Sequence, residues 1–261
     1  MKSNLAIAMV FTESGQPLLR EELNLPAVDT DEILVKIVYT TICTSDLHTY
    51  TGRRSSPCPC VLGHEIIGTI VSMGDGITTD YNDNILMAGD RITWSVYAFD
   101  ANDEMAKNGI PQKSKGLYKY GHHQFSPEDG LNGGFATHCF LKKGTIVFKL
   151  PEEISNKAAA PINCTHATIA GAIRLAGNLQ NKNILITGTG MLGLSACAMS
   201  AENGAKNIYA MDINEERLNF TKKFGATKQF NSKLTVSDIN SELAENEKIN
   251  NILHSSSIYL R

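Results

Sequence analysis

Two cysteines and one histidine carry the side chains in this sequence that are best suited to bind a metal ion. Cys43 lies in the segment TICTSDLH, His64 in LGHE and Cys164 in APINCT. Two thiolates and one imidazole can hold zinc tetrahedrally and leave the fourth position to water or substrate, which is the arrangement of a catalytic site and not of a structural one. The sequence therefore predicts one catalytic zinc ion bound by Cys43, His64 and Cys164.

A glycine-rich segment, GTGMLG at residues 188–193, predicts a dinucleotide site. It follows a predicted strand and opens a predicted helix, and Asp212 ends the next predicted strand 22 positions after Gly190. The glycine pattern alone is a weak indication, but this context makes it specific for a dinucleotide site. We expect Gly188 to form the tight turn, Gly190 to let the backbone approach the pyrophosphate, and Gly193 to let helix and strand pack closely. An ordinary turn is the alternative.

Asp212 should set the choice of dinucleotide. A carboxylate at this position accepts hydrogen bonds from the adenosine ribose, and its charge would repel a 2′-phosphate, so NAD is expected rather than NADP. The alternative is a solvated acid at the end of a strand. Zinc and a nicotinamide dinucleotide together indicate hydride transfer on an alcohol or a carbonyl.

The elements that position these residues fall into two parts. Residues 33–38, 66–71 and 91–94 are short β-branched runs broken by turn residues, which predicts a β-rich first part. An Ala-rich, helix-prone stretch covers 158–176, and strands and helices then alternate, which is typical of an α/β fold with a parallel, doubly wound sheet. The predicted strands are 183–187, 207–211, 228–230 and 249–253, and the predicted helices are 191–203, 215–224 and 235–243.

Composition limits the possible partners and the compartment. The net charge of −3 over 261 residues gives no reason to expect nucleic acid or a membrane as a partner. No apolar run approaches a membrane span, and the amino terminus lacks a signal-peptide pattern. Six cysteines without a regular framework indicate a reducing compartment, so we expect the cytoplasm. Cys58 and Cys60 are interpreted as incidental thiols, and Cys139 and Cys197 as packing residues.

The motifs, taken in order, resemble one family. Cys43-Thr44-Ser45-Asp46, Gly63-His64-Glu65 and the glycine loop are similar to those of the zinc-dependent medium-chain alcohol dehydrogenases. In that family a GroES-like catalytic domain precedes a Rossmann domain. The resemblance implies a GroES-like zinc-binding domain over residues 1–164 and a partial Rossmann NAD-binding domain of about four strands over residues 165–261.

The resemblance also implies roles for residues around the zinc ligands. Ser45 matches the hydroxyl that hydrogen-bonds the alcohol, and His48 matches the outer proton acceptor. Glu65 matches an acid that can approach the metal. Asp46 resembles the acid that orients the histidine ligand, a role that fixes tautomer and ring direction. In the implied mechanism, the alcohol proton leaves through Ser45 and His48 while hydride passes to the nicotinamide.

Two further positions are matched to the cofactor. Thr168 matches the residue that packs on the nicotinamide, and Arg217 matches a basic residue beside the adenosine. Thr44 occupies the position at which many relatives carry a basic residue that contacts the pyrophosphate, so weaker binding of the cofactor is expected there.

The sequence departs from the family pattern in two places. Many members hold a second, structural zinc with four cysteines, but the corresponding positions here carry other residues, so no structural zinc is expected. These positions are Asp100, Asp103, Ala106 and Ser114. The sequence also ends near the expected fourth Rossmann strand, which would leave that strand at an exposed edge, and we interpret the chain as truncated.

Three segments indicate a subgroup and a substrate. Residues 91–96, 109–113 and 119–122 resemble dehydrogenases associated with phosphonate metabolism, which implies a small phosphonate such as 2-hydroxyethylphosphonate. Lys119, His122 or His123 would then meet the phosphonate, unless they belong to a solvated loop. The expected partner is a small-molecule alcohol or aldehyde, and a homo-oligomer is compatible with the resemblance. The alternatives are a general or polyol alcohol dehydrogenase, or a truncated non-catalytic remnant; a zinc-free quinone-reductase-like protein is disfavoured.

Overall fold

In the computed structural model the described residues are 4–231 and 233–254, and the chain divides into two compact units. The first unit is Met1–Cys164 and the second is Thr165–Arg261. The first is rich in strands, and the second alternates strands with helices.

The first unit is built on antiparallel sheets. Its strands are β1 Leu5–Phe11, β2 Leu19–Asn24, β3 Ile33–Thr41, β4 Cys60–Val61, β5 Glu65–Met73, β6 Arg91–Ala98, β7 Tyr118–Lys119, β8 His138–Leu141 and β9 Thr145–Lys149. One sheet has the order β2-β1-β4, and a larger sheet has the order β7-β6-β5-β3-β8 with β9 paired to β6. Its helices are α1 Thr44–Tyr50, α2 Glu104–Lys107 and α3 Asn156–Ala159. Short 3₁₀ and π-helical turns cover Pro111–Lys113 and Ile162–His166.

The larger sheet surrounds a core centred on Trp94. Trp94 is fully buried together with Ile66, Ile92 and Cys139, and Tyr120 packs edge-on against the Trp94 ring. Alternating β-branched residues along the strands supply this face, as expected for half-buried strands. Cys139 is therefore a packing residue, as its strand context indicated.

The pairing of β3 with β5 determines where two of the predicted metal ligands lie. The register of this antiparallel pair ends with Thr41 opposite Glu65. Cys43 follows the end of β3, and His64 immediately precedes the start of β5. Residues opposite each other in an antiparallel pair are neighbours in space, so this register brings Cys43 and His64 to the same edge of the sheet.

The second unit contains a four-stranded parallel sheet with helices between the strands. Its strands are β10 Asn183–Thr187, β11 Asn207–Asp212, β12 Lys228–Asn231 and β13 Asn251–His254, and its helices are α4 Ala167–Ala176, α5 Met191–Glu202, α6 Glu215–Thr221 and α7 Val236–Glu242. The strand order is β12-β11-β10-β13, all parallel. This is the order of the first four strands of a Rossmann sheet, in which the ligand crevice lies where the strand order reverses.

The Ala-rich stretch over residues 158–176 is not the single helix that its composition favours. Helix α3 ends at Ala159, a π-helical turn covers Ile162–His166, and α4 begins at Ala167. Pro161 lacks a backbone N–H and therefore interrupts the ladder of helical hydrogen bonds. The π-helical turn contains Cys164, and such turns occur often at functional sites.

The polar stretch over residues 100–127 is largely irregular, as predicted, although it includes α2 and β7. Among residues 4–231 and 233–254, no helix combines the length and the apolar character that crossing a membrane requires.

Candidate active site

The three predicted metal ligands meet in the first unit. The Sγ atoms of Cys43 and Cys164 are 4.0 Å apart, and Cys164 Sγ lies 3.3 Å from His64 Nε2. All three ligand atoms lie within 4.8 Å of one another. A tetrahedral zinc ion with ordinary bond lengths requires an S···S distance of ~3.8 Å and an S···N distance of ~3.6 Å. One zinc ion therefore fits this set of atoms.

Each ligand is held by a different element. Cys43 is the N-cap of α1, His64 comes directly before β5, and Cys164 lies in the π-helical turn. The side chain of Asn163 ties two of these segments together, because its Nδ2 donates to the His64 carbonyl at 2.9 Å. The ligand set thus joins segments separated by 121 positions in the chain.

The buried carboxylate of Asp46 supports two ligands at once. Its Oδ2 accepts the backbone N–H of Cys43 at 2.9 Å, and its Oδ1 accepts the N–H of Gly63 at 3.2 Å. Oδ1 also lies 3.3 Å from His64 Nδ1, a polar contact that is not aligned as a hydrogen bond. Burial alone would raise the pKa of Asp46, but the contacts with His64 and these N–H groups lower it overall. Asp46 therefore stays ionised beside the His64 ring.

The electrostatics of the ligand set favour one thiolate and a charged imidazole when metal is absent. The thiol of Cys164 lowers the pKa of Cys43 against the effect of burial, and His64 and Ser45 act in the same direction. Conversely, the Cys43 thiolate raises the pKa of Cys164. Burial opposes the charge of His64, but Asp46 and Cys43 together raise the pKa of His64 to about 10. A divalent cation would replace these protons, so its binding must release them.

The residues matched to proton transfer lie close to this set. Ser45 and His48 are half-buried and lie three positions apart on α1, a spacing that places them on the same side of a helix. Glu65 is buried at the start of β5 and accepts a hydrogen bond from the Thr41 hydroxyl. Burial raises the pKa of Glu65, and the charge of Cys43 adds to this effect.

A second imidazole, that of His122, lies against the ligand His64. The two rings are 5.2 Å apart with 39° between their planes. Burial lowers the pKa of His122 to about 4, and the charges of His64 and Arg54 act in the same direction. No motif in the sequence points to Arg54, which lies shortly after the end of α1 at Tyr50.

Of the three residues expected to meet a phosphonate, two share a turn and the third has other neighbours. Lys119 and His122 share one turn, closed by a hydrogen bond from His122 N to Lys119 O at 3.1 Å. His123 has different neighbours: its Nε2 lies 3.4 Å from an Asp129 carboxylate oxygen, and its ring stacks on Tyr118 at 4.1 Å.

The segment over residues 100–114, which corresponds to the structural-zinc segment of relatives, is stabilised by hydrogen bonds to its own aspartates. Asp103 caps α2 by accepting the N–H of Met105 at 2.8 Å, and it also accepts the N–H of Lys115 at 3.2 Å. Asp100 accepts the N–H of Asn102 at 2.8 Å. These contacts use the carboxylates for backbone hydrogen bonds at two of the four positions.

The glycine loop lies in the second unit at the end of β10. Gly188 has φ of 85°, a left-handed conformation that favours glycine, and its N–H donates to Met211 O at 2.8 Å. Gly190 is the N-cap of α5, and a Cβ built there meets no atom within 4 Å. Gly193 is buried in α5. The loop therefore leaves open space at the N-terminus of a twelve-residue helix, where a pyrophosphate would fit.

Asp212 ends β11 beside this loop. One of its oxygens accepts both the N–H and the hydroxyl of Thr189, at 2.6 and 2.9 Å, and the other accepts the N–H of Asn214 at 2.9 Å. Burial would raise the pKa of Asp212, but these bonds lower it overall, so the side chain is ionised. Arg217 is exposed in the first turn of α6, and Thr168 is exposed on α4.

Comparison with known proteins shows which proteins this chain is similar to. Residues 29–152 match the family described as the alcohol dehydrogenase GroES-like domain. By sequence and fold, the chain is similar to the zinc-type medium-chain alcohol dehydrogenases. The predicted α/β fold, with a GroES-like domain followed by a partial Rossmann sheet, is confirmed.

Individual relatives illustrate the extent of the match. An L-threonine 3-dehydrogenase from Idiomarina loihiensis is 29% identical over 231 residues, which cover 87% of this chain and 63% of the relative. The structure of an alcohol dehydrogenase from Thermotoga maritima matches with a TM-score of 0.81 and 27% identity, over 91% of this chain and 66% of that one. Galactitol-1-phosphate dehydrogenase from Escherichia coli matches with a TM-score of 0.81 and 28% identity, over 96% and 68%. The chain thus spans about two thirds of the length of these relatives.

Proposed function

We propose that this protein is a zinc- and NAD-dependent alcohol dehydrogenase or aldehyde reductase. The observation that carries the proposal is the convergence of two thiols and one imidazole nitrogen within 4.8 Å. Cys43, His64 and Cys164 would hold a single catalytic zinc ion. The NAD-binding residues would be Gly188, Gly190, Gly193, Asp212, Thr168 and Arg217.

The chain's own residues would then move the proton. When bound, zinc supplies a Lewis acid that makes an alcohol more acidic, and NAD supplies the hydride acceptor. The Ser45 hydroxyl accepts the alcohol proton and passes one on to His48, which lies about one helical turn further along α1. Asp46 keeps His64 oriented, and Glu65 stands beside the thiolates as a further acid.

Several wider features are part of the same proposal. All six cysteines carry free thiols, which supports the expectation of a reducing compartment such as the cytoplasm. The ionised Asp212 supports NAD over NADP. A small-molecule alcohol or aldehyde would be the partner, and a homo-oligomer stays a prediction.

The substrate we propose first is a small alcohol with an anionic group, such as 2-hydroxyethylphosphonate. A polyol is the second candidate, because a galactitol-1-phosphate dehydrogenase is among the similar structures. Turnover across a panel of phosphonate, phosphorylated and plain alcohols separates the two.

The proposed function is tested by measuring zinc, NADH binding and turnover on one purified sample of the chain. We expect about one zinc ion per chain, NADH affinity, and NAD-dependent oxidation of an alcohol. The Cys43→Ser variant should lose both zinc and turnover. The exposed thiol of Cys58 offers a matched control, so Cys58→Ser should retain both. Zinc retained by Cys43→Ser would refute the assignment, and zinc without NADH affinity would favour a non-catalytic remnant.

A further inference from the structure

Asn163 lies next to a predicted metal ligand and has no part in the proposed proton transfer. It directly precedes Cys164 in the π-helical turn Ile162–His166. Asn163 is only 7% exposed, whereas asparagine is mostly found on protein surfaces. A buried amide has given up its hydrogen bonds with water, so its place in the interior requires a physical reason.

The amide of Asn163 holds the backbone of the ligand His64. Its Nδ2 donates to the His64 carbonyl oxygen at 2.9 Å, across 99 positions of the chain. The two preceding carbonyls accept backbone N–H groups of residues 134–135, at 2.7 and 2.9 Å. Two different segments therefore fix three successive carbonyls, and Asn163 supplies the bond at the metal ligand itself.

The buried oxygen of the same amide makes no comparable bond. Because only the NH₂ group can donate to a carbonyl, the Oδ1 atom must point away from His64. Among residues 4–231 and 233–254, this oxygen has no hydrogen-bond partner. An apolar side chain of similar size would avoid burying it, so the stability of the fold alone does not favour asparagine at this position.

The position of Cys164 depends on the turn that carries Asn163. Cys43 and His64 flank the paired ends of β3 and β5, but Cys164 comes from another part of the chain. Apolar packing holds the start of this turn, because Ile162 packs against a cluster of buried residues that includes Ile67. The bond from Asn163 fixes the following residue, and Cys164 Sγ then lies 3.3 Å from His64 Nε2. A shift of the turn would move one ligand and leave the other two in place.

We propose that Asn163 is a positioning residue for the catalytic metal, which sets Cys164 against His64 before the metal binds. Groups that hold metal ligands in place typically change metal affinity about 10- to 100-fold when they are removed. The inference rests on the proposed function, because it concerns the same zinc site. It explains why a costly buried amide stands beside a metal ligand.

Two substitutions separate the hydrogen bond from the packing of the side chain. Asn163→Leu and Asn163→Ala both remove the N–H donor, but leucine keeps the volume of the side chain and alanine leaves a space. Competition against a chromophoric chelator gives the zinc dissociation constant, and chemical denaturation of the metal-free protein gives the free energy of unfolding. We expect both variants to raise the zinc dissociation constant about tenfold or more, and to a similar extent. Asn163→Ala should nevertheless be the less stable of the two.

Asn132 provides a matched control in the same unit. It is also buried, and its Nδ2 donates to the Asp129 carbonyl oxygen at 2.7 Å. Its Oδ1 likewise has no hydrogen-bond partner within the described part of the chain. Asn132→Leu and Asn132→Ala should leave the zinc dissociation constant within about twofold of that of the unmodified protein.

The positioning role is overturned if both Asn163 variants keep zinc affinity within twofold of the unmodified protein. A loss of affinity that follows the loss of stability, in the variants of both asparagines, would also overturn it. If Asn163→Leu fails to fold, the comparison of Asn163→Ala with Asn132→Ala decides between these outcomes.

Replacement of zinc by Co²⁺ adds a measurement that a purely structural role would not change. The visible absorption of Co²⁺ depends on the geometry and the type of its ligands. At saturating Co²⁺, the Asn163 variants should show shifted or weakened bands, whereas the Asn132 variants should reproduce the spectrum of the unmodified protein. Identical spectra for all of these proteins would contradict the inference.

Turnover of the unmodified chain separates this inference from the proposed function. Zinc binding that is weakened in the Asn163 variants, without oxidation of any alcohol by the unmodified chain, would refute the dehydrogenase and leave the positioning role. Oxidation of an alcohol, together with unchanged zinc affinity and Co²⁺ spectra in the Asn163 variants, would refute the positioning role and leave the dehydrogenase.

Discussion

Replacing Asp46 by asparagine should weaken zinc binding because one carboxylate supports two ligands. It accepts the N–H of Cys43 at 2.9 Å and that of Gly63 at 3.2 Å, and it lies 3.3 Å from His64 Nδ1. Asparagine keeps one oxygen but turns an NH₂ group toward a donor at the other position. The loss of at least one hydrogen bond to a charged group costs about 1.5–3 kcal/mol. Changes of this kind typically reduce metal affinity about 10- to 100-fold, which corresponds to a similar energy.

The assay is competition for zinc against a chromophoric chelator, with circular dichroism to confirm that each variant is folded. Asp80→Asn is a matched control, because Asp80 is also buried and accepts backbone N–H groups, including those of Asn82 and Asn84 at 2.9 Å. This control should lower the free energy of unfolding and leave the zinc dissociation constant unchanged. An Asp46→Asn protein with zinc affinity within twofold of the unmodified chain would refute the reasoning, as would an equal loss of affinity in Asp80→Asn.

Three further predictions concern other parts of the molecule. Asp212→Gly removes the charge expected to repel a 2′-phosphate, so the ratio of NADPH to NADH dissociation constants should fall; an unchanged ratio counts against the ribose role. Gly121→Ala should lower the free energy of unfolding by more than Gly116→Ala, because both have positive φ but only the Cβ at Gly121 meets another backbone, that of Gly63, at 2.6 Å. If chemical denaturation showed the same loss in the free energy of unfolding for both variants, this would argue against the close approach of Gly121 to Gly63. Burial would raise the pKa of Asp80, but backbone N–H donors lower it overall, so the ionised carboxylate stabilises the fold above about pH 4 and this contribution is lost as pH falls. The free energy of unfolding of Asp80→Asn should therefore depend less on pH in the acid range.

The dinucleotide site could be predicted from the sequence because its residues lie close together along the chain. Strand β10 covers the predicted residues 183–187, the helix predicted at 191–203 begins at Met191, and Asp212 ends the following strand. A single βαβ unit contains all of these residues. Hydrophobic periodicity, glycine positions and turn chemistry specify such a unit over a short stretch of chain.

The metal ligands were recognisable by residue type and local motif, but only the tertiary structure brings them together. The Cys43–His64 approach depends on the register of β3 against β5, which pairs Thr41 with Glu65 and so brings together the segments that flank these strand ends. Cys164 reaches the site from 121 positions away, in a π-helical turn where composition favoured a continuous helix.

The turn that carries Lys119 and His122 shows the same limit more clearly. Each residue alone resembles a solvated loop position, and the sequence grouped His123 with them although Asp129 and Tyr118 contact it instead. Their placement depends on the close approach of the Gly121 backbone to Gly63, which joins two loops that are distant in the sequence. Local patterns determine which elements form, whereas contacts between distant loops depend on sheet register and backbone packing that no short segment specifies.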